Sequence, residues 1–127
     1  MKKFAVIAVI VTLIIIIGGV FLTSRGQKSD SSASYPLPSN LTYYWGNGCP
    51  HCKNVEDFLS TWDKKDQVKI DKKEVWGNAA NASELQARYV FCKITNPQEM
   101  GVPLLFTPDG KCYSGDQPII DYLKNIK

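Results

Sequence analysis

Cys49-Pro50-His51-Cys52 follows directly on Leu41-Thr42-Tyr43-Tyr44-Trp45 and Gly46-Asn47-Gly48, and it precedes Val55, Phe58, Leu59 and Trp62 at i, i+3, i+4 and i+7. The first run favours a strand, the glycines stop it, and the last four positions draw one apolar face of a helix. Pro50 suits the first helical position, where its missing N–H would be unpaired in any case. The two cysteines are therefore predicted at a turn from strand into helix, which calls for a sheet with helices packed on it.

The rest of the chain supplies those partners. Gln67 to Trp76 is predicted as a second strand, with Val68, Ile70, Val75 and Trp76 giving weak patterning among many Lys and Asp. Asn78 to Ile94 reads as a second helix, with Ser83 and Gln86 at capping-box spacing and Leu85, Tyr89 and Cys92 on one stripe. Val102 to Phe106 forms a third strand, Pro108-Asp109-Gly110 a hairpin turn, and Lys111 to Ser114 a short fourth strand. A last helix starts at Gly115-Asp116, with Asp116 as its cap and Ile119, Tyr122, Leu123 and Ile126 on its buried side. The predicted order is βαβαββα, an α/β domain with one small mixed sheet.

Phe4 to Leu22 is uncharged over nineteen residues and rich in Ile and Val. As a helix it would span roughly 28 Å, about the thickness of a bilayer core. A cleaved secretory signal is the competing reading, but its apolar region is usually shorter, and Thr23-Ser24-Arg25-Gly26 makes a poor cleavage site. The expected organisation is a transmembrane anchor over residues 1–23, a flexible linker over 24–40, and a folded domain over 41–127. Of fifteen basic and twelve acidic residues, four and one fall in residues 1–30, so the whole +3 charge lies there and the domain is neutral. A neutral domain disfavours nucleic acid as a partner. Lys2 and Lys3 before the span favour a cytoplasmic amino terminus, which puts the domain on the extracytoplasmic side of a single-pass cell-membrane protein.

At a helix N-terminus, unpaired N–H groups and the macrodipole favour negative charge, so a thiol there loses its proton more readily. Cys49 is so placed. Cys52, three positions on, falls on the side of Val55 and Leu59 and is shielded. Since only the thiolate is nucleophilic, Cys49 is expected to attack and Cys52 to resolve. His51, the one histidine of the chain, lies between the two sulfurs in sequence and can stabilise the Cys49 thiolate, which tunes the potential; an uninvolved solvent-facing ring is the alternative.

With that element order, C-P-H-C, and Gly101-Val102-Pro103 some fifty residues later, residues 40 to 127 resemble the thioredoxin superfamily. The resemblance implies a thioredoxin-like fold, a cis Pro103 lying against the active-site disulfide, and a Val102 backbone that pairs with an extended substrate. C-P-H-C is similar to bacterial periplasmic disulfide oxidases, without room for their helical insertion. Ser114-Gly115-Asp116 looks closer to glutaredoxins, in which a Gly-Gly-x-x-Asp-like stretch binds glutathione, and to the thioredoxin-like domain fused to some vitamin K epoxide reductase homologues. Where thioredoxins keep a buried acid, six residues before the first active-site Cys, this chain has Tyr43.

Cys92 and Cys112 read as a structural disulfide that closes a loop of about twenty residues, with a relay pair and an inert core thiol at Cys92 as alternatives. The resulting expectation is a membrane-anchored thiol–disulfide oxidoreductase acting through Cys49, Pro50, His51 and Cys52, with Val102 and Pro103 positioning the substrate. Its partners would be protein thiols and disulfides, together with a membrane redox partner such as a quinone-linked disulfide reductase. No metal and no cofactor beyond the redox disulfide are expected. The alternatives are a reductase with glutathione as co-substrate, a four-cysteine zinc module, and a protein-binding domain with an idle dithiol.

Overall fold

A computed structural model describes residues 35–127. They form β1 (Leu41–Trp45), α1 (Pro50–Thr61), β2 (Ile70–Glu74), α2 (Ala79–Phe91), β3 (Leu104–Phe106), β4 (Cys112–Ser114) and α3 (Asp116–Lys124). The sheet order is β2-β1-β3-β4, with β1 and β2 parallel and the other neighbours antiparallel.

β1 and β3 are central and buried on both faces, which is why they read as unbroken apolar runs. Side chains alternate across the sheet. Leu41, Tyr43 and Leu105 meet Val55, Leu59 and Trp62 at α1 and Ile119 and Leu123 of α3 on one face. Tyr44, Leu104 and Phe106 meet Leu85 and Tyr89 of α2 on the other.

β2 is shorter than its sequence suggests and carries Lys at its centre. As an edge strand it tolerates charge, and its alternation is electrostatic: Lys72 pairs with Glu56 of α1, and Lys73 with Glu84 of α2 on the opposite face. Helix α2 is capped by Asn78, whose side chain accepts the Asn81 N–H, so the Ser83–Gln86 spacing is not its cap. For α3 the cap is Gly115, at φ 90, a left-handed backbone that favours glycine; Asp116 is the first helical residue.

The expected transmembrane helix needs correction. Among the described residues no helix is long and apolar enough to cross a membrane. The three helices have 12, 13 and 9 residues, which is at most about 20 Å of rise against a core of roughly 30 Å. What the structure describes is a mixed α/β fold of three helices and a four-stranded sheet. The anchor expected over 1–23 and the linker over 24–34 lie outside the described residues. Linker residues 35 and 36 are held on the domain: the buried Arg88 guanidinium donates to the Tyr35 carbonyl (3.3 Å) and the Pro36 carbonyl (2.9 Å).

Candidate functional site

Tyr44 pairs with Leu104, and Leu104 pairs with Ser114. This register brings the carboxyl ends of β1 and β4 beside the amino end of β3. The Gly46–Cys49 turn, the Gly101–Pro103 segment and Gly115–Asp116 consequently emerge at one edge of the sheet.

Cys49 caps α1, Pro50 is its first residue, and Cys49 and Cys52 are joined by a disulfide with their Cα atoms 5.2 Å apart. The Cys52 N–H points at the Cys49 sulfur from 3.1 Å. A negative charge on that sulfur would thus meet a backbone donor and the positive end of a helix dipole. Both cysteines are buried, Cys52 at 2% exposure more than Cys49 at 7%. Beneath them the Tyr43 hydroxyl donates to the Cys52 carbonyl at 3.2 Å. Burial, and then the Glu56 charge, push the Tyr43 phenol well above its ordinary range, so it stays neutral there.

The Val102–Pro103 peptide bond is cis, and the Val102 carbonyl oxygen lies 3.5 Å from the Cys49 sulfur. Three bonds fix this segment. The Tyr89 hydroxyl of α2 donates to the Gly101 carbonyl at 2.8 Å, the Gly115 N–H to the Pro103 carbonyl at 2.9 Å, and the Ser114 hydroxyl to the Glu99 carbonyl at 3.0 Å. Burial pushes the Tyr89 phenol up to about 12, which keeps it a donor.

His51 is exposed, and its Nδ1 lies 3.2 Å from Oδ2 of Asp116. Asn54 donates to the same oxygen from 2.5 Å, and the Gln117 N–H to Oδ1 from 3.0 Å. Asn54 first, and then His51, hold the Asp116 carboxyl below the usual carboxylate range. With Cys49 and Cys52 joined as a disulfide, the His51 ring is bonded to Asp116 of α3. A groove of about 220 Å³ runs between His51, Val102, Pro103 and Asp116. A wider cleft of about 540 Å³ lies on the other side of the cysteines, walled by Trp45, Gly46, Pro50 and Glu56.

Glu74 fastens the wall of that cleft by accepting the N–H groups of Asn47, Trp76 and Gly77. Trp76 lies on Gly46 so closely that a Cβ there would meet its ring at 2.4 Å. Cys92, at the end of α2, and Cys112, the first residue of β4, form a second disulfide with Cα atoms 6.2 Å apart.

The structure thus brings Cys49, Pro50, His51, Cys52, Val102 and Pro103 together and leaves Cys92 and Cys112 elsewhere on α2 and β4. The parts that Asn54, Glu74 and the Tyr89 hydroxyl play at the site, and the bond between Asp116 and His51, carry no local sequence pattern. Asp116 directly follows Gly115, whose positive φ caps α3, and that Gly-Asp pair at a helix start is the nearest thing to a signal for it.

No protein-family model matches the chain, and no curated protein matches it. The class therefore rests on fold and site alone: a four-stranded sheet with helices, compatible with a thioredoxin fold, that carries a close-spaced cysteine disulfide at a strand-to-helix turn.

Proposed function

We propose that this chain is a thiol–disulfide oxidoreductase of the thioredoxin superfamily that exchanges disulfides with protein thiols through Cys49 and Cys52. The observation that carries this reading is the Cys49 sulfur at the N-cap of α1, facing the Cys52 N–H and the Val102 carbonyl. In the reducing direction the Cys49 thiolate attacks a substrate disulfide and expels one substrate thiolate, giving a mixed disulfide. Cys52, as thiolate, then attacks the Cys49 sulfur and releases the second substrate thiolate. In the oxidising direction the same bonds form and break in reverse, and the enzyme disulfide accepts the electrons. The second disulfide supports work in an oxidising compartment.

The groove beside Val102 and Gly115 favours glutathione as a second reading for the co-substrate. Against it, the Asp116 carboxylate is already engaged by Asn54, His51 and the Gln117 N–H. The zinc module needs four thiolates, and all four sulfurs here are in disulfides.

Cys52→Ser in the reduced full-length chain tests the proposal. Incubated with disulfide-bonded proteins, it should accumulate mixed disulfides through Cys49, visible on non-reducing gels and released by dithiothreitol. Absence of any adduct, together with an unreactive wild-type dithiol, would sink the redox reading.

A further inference from the structure

The Asn54–Asp116–His51 cluster has no part in the exchange steps above, yet its carboxylate takes three hydrogen bonds. A carboxylate only accepts hydrogen bonds, so the 3.2 Å contact puts a proton on Nδ1 of His51, and in the neutral ring Nε2 is then the nitrogen open to a proton. The carboxylate itself cannot turn. Asn54 of α1 holds Oδ2, the Gln117 N–H holds Oδ1, and the residue sits in the first turn of α3, where negative charge is favoured. The Cys49 sulfur has its own stabilising donor in the Cys52 N–H. The ring of His51 lines the 220 Å³ groove, whose opposite wall is the Val102–Pro103 segment that touches the Cys49 sulfur.

We propose that His51 receives at Nε2 the proton of the substrate thiol arriving in this groove, with Asp116 as its positioning residue. The inference rests on the exchange activity proposed above. In the oxidising direction the substrate S–H proton passes to Nε2, and the freed electron pair forms the new bond to the Cys49 sulfur. The Cys49–Cys52 bond breaks with its pair on the Cys52 sulfur. The substrate sulfur is oxidised, the enzyme disulfide is reduced, and the imidazolium lies against the Asp116 carboxylate until it returns its proton to solvent. The charged groups that line the groove with His51 are Asp116 from α3 and Glu99 from the segment before β3; Lys53, two positions on in α1, lines the other cleft and pairs with Asp57. Both of these groove-lining groups are acidic and suit a transient imidazolium.

The test is reduction of the oxidised full-length protein by a single-cysteine peptide from pH 6 to 10, for wild type, His51→Gln, Asp116→Asn and Asp116→Ala. Free thiols titrate near about 8.5, so a base matters below that pH and not above it. At pH 6.5 the expected losses are about 100-fold for His51→Gln and about 10-fold for either Asp116 variant. All four proteins should converge by pH 10. Thionitrobenzoate, a thiol already ionised at neutral pH, should react with all four at equal rates. The equilibrium constant with the peptide should stay within threefold, because the base acts on the rate alone.

A His51→Gln defect that persists at pH 10, or that appears equally with thionitrobenzoate, would overturn the inference. A tenfold change in the equilibrium constant would also do so, by placing His51 on the Cys49 thiolate. Asp116 variants that match wild type at every pH would remove the positioning role. A wild-type protein inert to every thiol would instead defeat the exchange reading on which the inference stands.

Discussion

Replacing Cys92 and Cys112 together by Ala should cost stability and leave exchange untouched. The disulfide spans a sequence separation of 20. Closing a loop of that length in the unfolded chain is worth roughly 3 kcal/mol. The two sulfurs also pack against the cluster of Tyr44, Leu85, Tyr89, Leu104 and Phe106, so their loss adds about 1 kcal/mol of apolar contact. A domain of this size has roughly 5–15 kcal/mol in total, so a loss of about 4 kcal/mol removes a large share of it. Urea unfolding of wild type and double variant, both with Cys49–Cys52 oxidised, measures the difference. The midpoint should fall sharply, and the m-value should rise because the uncrosslinked unfolded chain is more expanded. Reduction of the Cys49–Cys52 disulfide by a given thiol should keep its rate within about twofold, since the second disulfide ties α2 to β4 and makes no contact with α1 in the core. A loss below about 1 kcal/mol refutes the loop-entropy reasoning. Retained stability with lost exchange refutes the structural role and points to an electron relay.

Arg88→Met keeps an unbranched apolar stem but removes the guanidinium that lies over the Phe106 ring and its bonds to Tyr35, Pro36, Tyr44 and Glu84. Because Glu84 retains Lys73 as a partner, the cost should sit near the low end for a broken buried pair, about 3 kcal/mol by urea unfolding, with faster proteolysis at residues 35–40. Glu84→Gln should flatten the acid side of the stability curve. Burial raises that carboxyl, but the Lys73, Tyr44 and Arg88 bonds outweigh it and leave it lowered. A lowered group stabilises the fold above its unfolded pKa and loses that contribution as pH falls through its folded pKa, so urea midpoints should diverge most above the usual carboxylate range and converge as pH falls below it. Equal midpoint differences at all pH values would contradict this. Gly46→Ala should cost about 1 kcal/mol in wild type and much less in a Trp76→Ala background, because the three atoms nearest the added Cβ all belong to that ring; a double-mutant cycle without coupling refutes it.

The strand-to-helix turn with its two cysteines was legible because its signals are local: a β-favouring run, two glycines, a proline and four apolar positions at helical spacing. β2 was blurred for a physical reason. Its alternating partners are Glu56 and Glu84 on two helices, so the pattern is one of charge against charge and not of apolar against polar. Asn78 was passed over as a cap because Ser83 and Gln86 match a capping box that falls inside the helix. Tyr89 read correctly as a buried stripe residue, but nothing local shows that its hydroxyl reaches Gly101. Asp116 read as a helix cap, while its actual partners, Asn54 and His51, lie 62 and 65 residues away.

What sequence spacing leaves out, strand register supplies. Tyr44 opposite Leu104, and Leu104 opposite Ser114, are the pairings that set Cys49, Val102 and Asp116 at one edge. A slip of one residue between β1 and β3 would exchange the faces of Tyr43 and Tyr44. Tyr43 would lose Val55 and the Cys52 carbonyl, and Tyr44 would lose Glu84 and Arg88. The polar bonds of these two tyrosines, one to α1 and one to α2, therefore do more than satisfy buried hydroxyls. They penalise the wrong register from both faces of the sheet, and the right register is what assembles the site.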